Sequence, residues 1–172
     1  MRKLIQSTMM IVVILVGLHQ FHELSQLIQP IGNSQEHIIK NGIIRESLRY
    51  LGCPEWKIGK VTTGITIASD ATGISRLLIS SLLYTESNWD FRAVSSKGYV
   101  GIGQTDVATM IYPEVDILHT AMKLQDKLRL TNYNMFEALA KYKGGNKKQE
   151  ARNQAQYIIK VYNNLIKRAE RG

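Results

Sequence analysis

The distribution of apolar and polar positions divides the chain into an N-terminal apolar run and a longer part with helical rhythm. The run extends from Leu4 to Phe21, is centred on Met9 to Leu18, and follows Arg2 and Lys3. A membrane-spanning helix needs about 20 mostly apolar residues. This run reaches that length by including Gln6, Ser7, Thr8 and His19, and the Ser and Thr hydroxyls can bond back to their own helix. Positive charge before the run and none directly after it predicts an uncleaved anchor with its N-terminus inside and the rest of the chain outside. A cleaved secretory signal is a second reading, although His19 to Glu23 offers no small-residue cleavage step. A buried core helix is a third.

Gln29-Pro30-Ile31-Gly32-Asn33 breaks the run, and Ser34 is placed to cap a new helix. Ile38, Ile39, Ile43, Ile44, Leu48 and Leu51 then recur at helical spacing until Gly52-Cys53-Pro54 stops them. Between Trp56 and Gly73 the pattern is ambiguous. Val61-Thr62-Thr63 and Ile65-Thr66-Ile67 read as short strands around Gly64 or as an irregular connection. From Ile74 onward the rhythm is helical again. Ile74, Leu77, Leu78, Leu82 and Leu83 share a face, as do Ile117, Ala121, Leu124 and Leu128. Met135, Leu139 and Tyr142 predict a short helix, and Ala155, Ile158, Tyr162, Leu165 and Ala169 a final one. Only Trp89 to Gln104, rich in Gly and Ser, interrupts this part. The expectation is a mostly α chain, with an anchor or signal segment over 1–30 and one folded domain over 31–172.

Composition narrows the choice of partner. With 172 residues, 44% hydrophobic and 21% charged, the chain has the make-up of a globular protein with one core. Its net charge of +8 suits an anionic membrane face, an acidic polymer or nucleic acid. The basic residues are scattered, without an aromatic-interleaved basic strand, which argues against nucleic acid. No Cys/His spacing predicts a metal site, and no cofactor is expected. The lone Cys53 rules out an intrachain disulfide and reads as a structural thiol.

Candidate chemistry centres on Glu86, which closes the apolar helix in Leu82-Leu83-Tyr84-Thr85-Glu86-Ser87-Asn88-Trp89. The negative end of the helix dipole and apolar neighbours both disfavour the ionised carboxyl, and so raise its pKa toward the range a general acid needs. A solvated helix-end glutamate is the ordinary alternative.

The segment from Glu86 to Gln104 tips that balance. It carries Glu86-Ser87, then Ala93, Ser95, Gly98, Gly101 and Gln104 at fixed intervals. Farther on stand Ala140-Lys141-Tyr142-Lys143-Gly144-Gly145, Glu150-Ala151-Arg152-Asn153, and Tyr157-Ile158-Ile159-Lys160-Val161. These four ordered blocks, spread over 74–165, resemble the signature of the soluble lytic transglycosylase (SLT) family. The resemblance implies a lysozyme-like, mostly α domain that cleaves the bond between N-acetylmuramic acid and N-acetylglucosamine in peptidoglycan. Glu86 would protonate the glycosidic oxygen and then deprotonate the muramoyl C6 hydroxyl, leaving a 1,6-anhydro end and consuming no water.

Further roles follow from the resemblance alone. Ser87 matches the serine beside the acid, and Ser95 a serine that contacts the sugar N-acetyl group. Gly101 would allow close backbone approach to sugar, while Gln104 would bind substrate or brace the loop. Tyr142 is expected near Glu86 or the sugar. Tyr157 would hydrogen-bond the catalytic carboxyl, with Tyr162 its rival and a core residue by its position. Two positions depart from the family pattern: Gly103 replaces a methionine and Lys143 an asparagine. The stretch from Gln104 to Pro113 is also shorter than usual. Two other readings stay open: a goose-type lysozyme-like hydrolase using Asp90 or Asp106 to position water, and a weakly active wall-binding component of an envelope-penetrating apparatus. The setting expected is an inner membrane with the domain facing the periplasm or wall, or a virion membrane, where unknown envelope-spanning or virion assembly partners would join it.

Overall fold

The computed structural model describes residues 34–106, 112–144 and 148–171. The described residues from Ile38 onward belong to one compact unit. The anchor or signal segment over 1–30 lies outside the described residues. No described helix is long and apolar enough to cross a membrane.

The described residues form six helices and no strand: α1 (Ser34–Tyr50), α2 (Glu55–Thr72), α3 (Arg76–Ser87), α4 (Pro113–Arg129), α5 (Met135–Tyr142) and α6 (Gln149–Ala169). The mostly α expectation holds, and the helices from α3 onward fall where the apolar stripes placed them. Asn134 caps α5 by accepting from the Glu137 N–H, and Pro113 opens α4, where a missing donor costs nothing.

The stretch read as strands or irregular is the helix α2. Its apolar residues Ile58, Val61, Ile65 and Ala68 follow 3, 4, 3 spacing and are fully buried. Threonines between them masked that rhythm, because β-branched residues favour strands. The helix tolerates them by local bonding: Thr63 donates to the Gly59 carbonyl and Thr72 to that of Ala68. Gly64 serves contact instead of a turn. A Cβ there would stand 2.7 Å from Ile117 Cδ1 and 3.0 Å from Glu114 Cα, so its absence lets α2 and α4 pack backbone to side chain.

The core gathers Leu48 of α1, Ile58 and Ile65 of α2, Ile79, Leu82 and Leu83 of α3, Ile117 and Leu124 of α4, Leu139 of α5 and Ile158 of α6. Each such side chain contributes roughly 1.5–3 kcal/mol on burial. Trp89, just past α3, is also completely buried, and its indole N–H donates to the Leu51 carbonyl at 3.0 Å. That bond ties the turn after α1 to the loop that follows Glu86. Cys53 is buried as expected of a structural thiol.

Candidate active site

Glu86 is the penultimate residue of α3. Asn88 ends the helix in the left-handed conformation (φ 49°), its N–H returning to the Tyr84 carbonyl. Trp89 follows, also at positive φ (69°). This is rare for a bulky residue and is held here by complete burial of the ring. The chain then folds through a compact loop. Asp90 Oδ1 accepts from the Arg92 N–H, and the Ser95 N–H donates to the Tyr99 carbonyl. Isolated β-bridges join Val94 to Val100 and Val100 to Thr105. Gln104, at positive φ (49°), sends its amide nitrogen to the carbonyls of Ala93 (3.0 Å) and Gly101 (2.9 Å), clamping the two arms of the loop together.

Two glycines bring this loop onto α4. Gly101 (φ 79°) has no room for a Cβ, which would collide with the Asp116 carboxyl; a Cβ on Gly103 would collide with the Thr120 hydroxyl and lie 2.9 Å from its Cβ. Gly103 is therefore a contact requirement of this chain. The Gly103 carbonyl accepts from the Tyr142 hydroxyl at 3.2 Å, which fastens the loop to α5 as well.

Glu86, Ser95, Tyr99, Gln104, Lys123, Tyr142 and Lys143 line one cleft of about 340 Å³. The Glu86 side chain is only 8% exposed, and Lys143 Nζ lies 2.9 Å from its Oε1. Burial pushes the Glu86 carboxyl above the usual carboxylate range, against the opposing pull of the Lys143 and Lys123 charges. Tyr142 is driven well above the ordinary phenol range, by burial and by the Glu86 charge, so its hydroxyl remains a donor. Lys123 Nζ sits over the Tyr99 and Tyr142 rings, 4.9 and 5.4 Å from their centroids.

The expected site residues separate into groups. Ser95, Gln104 and Tyr142 come together with Glu86 in the cleft. The Ser95 hydroxyl accepts from the Tyr99 N–H, and both amide donations of Gln104 described above serve the loop. Gly101 shapes the loop through its contact with Asp116. Ser87 turns its hydroxyl back toward the Leu83 carbonyl at 3.5 Å and does not line the cleft. Tyr157 stands half exposed in a separate hollow of about 580 Å³ that Tyr84 also lines. Tyr162 packs against the core. Asp90 and Asp106 are exposed, and neither lines the cleft. No group of three or more His, Cys, Asp or Glu suited to a metal ion occurs among the described residues.

Pattern reading missed the basic lining of the cleft: Lys97, Lys123, Lys143 and Lys148. Lys123 carried a usable signal. Asp116, Thr120 and Lys123 step by 4 and 3 along α4, a polar stripe beside the apolar one, and Asp116 and Thr120 are buried. A larger hollow of about 780 Å³ lies between α1 and the end of α6, lined by Ile43, Tyr50 and Arg168 among others, and holds none of the expected residues.

Comparison of the chain with protein-family models, curated proteins and solved structures returns no significant match.

Proposed function

We propose that the domain is a peptidoglycan lytic transglycosylase with Glu86 as its acid and then its base. The observation that carries this reading is the Glu86 carboxyl, nearly buried at the end of α3 and raised in pKa, in a cleft beside the loop whose residues resemble the SLT signature. A carboxyl of that kind keeps its proton toward neutral pH and can deliver it to a glycosidic oxygen. The proton passes to the leaving oxygen as its bond to C1 breaks. The resulting carboxylate takes the proton of the muramoyl C6 hydroxyl as that oxygen bonds to C1. Ordinary glycosidases flank the bond with two carboxylates. Intramolecular attack by the substrate's own hydroxyl removes the need for the second; neither Asp90 nor Asp106 reaches the cleft lining, and Glu150, which does, is exposed at the start of α6. The helical architecture supports a lysozyme-like fold for 31–172, and the apolar run over 1–30 supports tethering to a membrane with the domain toward the wall.

The test is the product profile of digested peptidoglycan by mass spectrometry. Wild type should release 1,6-anhydro ends, and Glu86→Gln should lose at least 100-fold in rate, within the range of a general acid's contribution of about 10²–10⁴. Reducing ends instead would identify a hydrolase. A Glu86→Gln variant as active as wild type would remove the central claim. The N-terminal mass of the mature protein tests the tether, since a product starting after residue 20 excludes it.

A further inference from the structure

The C-terminal ends of α3 and α5 converge on Glu86. Glu86 is the penultimate residue of α3, and Lys143 is the residue that closes α5. Each helix end carries about half a negative charge. The site therefore gathers two negative helix ends and a carboxyl that has almost no solvent to screen it. A single ammonium answers them at close range. Lys143 Nζ lies 2.9 Å from Glu86 Oε1, and its side chain is itself only 13% exposed. Other titratable groups line the same cleft: Lys123 from α4, Tyr142 from α5, Lys97 and Tyr99 from the loop, and Lys148 and Glu150 at and beside the start of α6. Of these only Lys123 adds a cationic influence on the Glu86 carboxyl.

We infer that Lys143 is a positioning residue that sets the pH range over which Glu86 carries its proton. This rests on the reading of Glu86 as acid and then base. Where the family pattern has a neutral asparagine, this chain places a cation against the carboxyl. Lys143 favours the ionised form, against burial and two helix ends. The alkaline boundary of the acid step is then lower than a neutral residue at 143 would give. The same ammonium stabilises the carboxylate left after the first proton leaves, which makes Glu86 a stronger acid in the first step and a weaker base in the second. Lys143 thereby narrows the interval between the two states that Glu86 must occupy in each turnover.

Two measurements on the full chain test this. In Lys143→Asn the alkaline limb of the kcat/KM profile on peptidoglycan should move up by about one pH unit or more, since an adjacent opposite charge shifts a carboxyl by about 1–3 units. Lys143→Arg, which keeps the cation, should restore the wild-type limb. Carbon-13 NMR of the glutamate carboxyls, with Glu86 assigned by its loss in Glu86→Gln, should show the same upward movement without reliance on activity. Lys143→Gln serves if the asparagine variant fails to fold, and Lys123→Gln should move the Glu86 midpoint less than either. A moved NMR midpoint in a protein that does not cleave peptidoglycan would support Lys143 and overturn the transglycosylase reading. Cleavage of peptidoglycan with an unmoved midpoint and limb in the neutral variants would overturn the role of Lys143 and leave that reading standing.

Discussion

At the scale of single residues, Glu86 links the chemistry of the cleft to the stability of the fold. Folding raises its pKa through burial, so the folded state holds this proton more tightly than the unfolded chain. Its contribution to stability is complete below the ordinary carboxylate value of about 4.3 and is lost as pH rises through the raised folded value. Thermal melts across that window should show wild type losing stability relative to Glu86→Gln as pH rises. Parallel pH profiles would contradict the raised value. The raised carboxyl was an expectation from its apolar helix, and burial is what raises it, but the local pattern alone left a solvated glutamate as the ordinary reading and only the ordered blocks singled Glu86 out. Its partner was not legible in the sequence, because Lys143 reaches Glu86 from another helix and from 57 positions away, and no local pattern encodes that approach. Tyr157 shows the same limit in reverse. Its place in an ordered block marked it for the carboxyl, yet its turn of α6 places it in the hollow it shares with Tyr84 and outside the lining of the cleft.

At the scale of elements, the loop after α3 is held on α4 by the absence of side chains. Gly103 faces the Thr120 hydroxyl and Gly101 the Asp116 carboxyl, with no space for a methyl group at either. Gly103→Ala should destabilise the protein by about 1–3 kcal/mol, the usual cost of overpacking. Gly103→Met, with a far larger side chain, should cost more. Thr120→Ala should recover part of the Gly103→Ala loss, because the two sites share one contact and their effects do not add. Denaturant midpoints of the four proteins check this, and strict additivity would show that the contact is absent. Element positions were readable wherever one face of a helix is uniformly apolar, as in α3 and α6. They were unreadable in α2, where Thr62, Thr63 and Thr66 imitate a strand and Gly64 imitates a turn. In the structure Gly64 marks a helix crossing, a role that only the facing residue Ile117 reveals.

At the scale of the whole molecule, the excess of positive charge and the lysine-lined cleft act together. The chain carries a net +8, and Lys97, Lys123, Lys143 and Lys148 surround the opening onto Glu86. An anionic polymer is drawn toward such a surface over distances set by the ionic strength, about 30 Å at 0.01 M and about 10 Å at 0.1 M. The kcat/KM on intact walls should therefore fall several-fold across that range, while the rate at saturating substrate changes little. Rates indifferent to salt would show that the charge does not guide association.

The two tryptophans of the chain differ sharply in their surroundings. Trp56 is 75% exposed at the start of α2, with the ammonium of Lys57 close to its ring. Trp89 is sealed in the core, between the end of the helix that bears Glu86 and the turn after α1. Their emission spectra should therefore be separable, one red-shifted and open to a soluble quencher, the other blue-shifted and protected. With Trp56 replaced by phenylalanine, the remaining fluorophore becomes an optical gauge seated three residues from Glu86. It reports, without a label, on whether the packing behind the end of α3 stays closed.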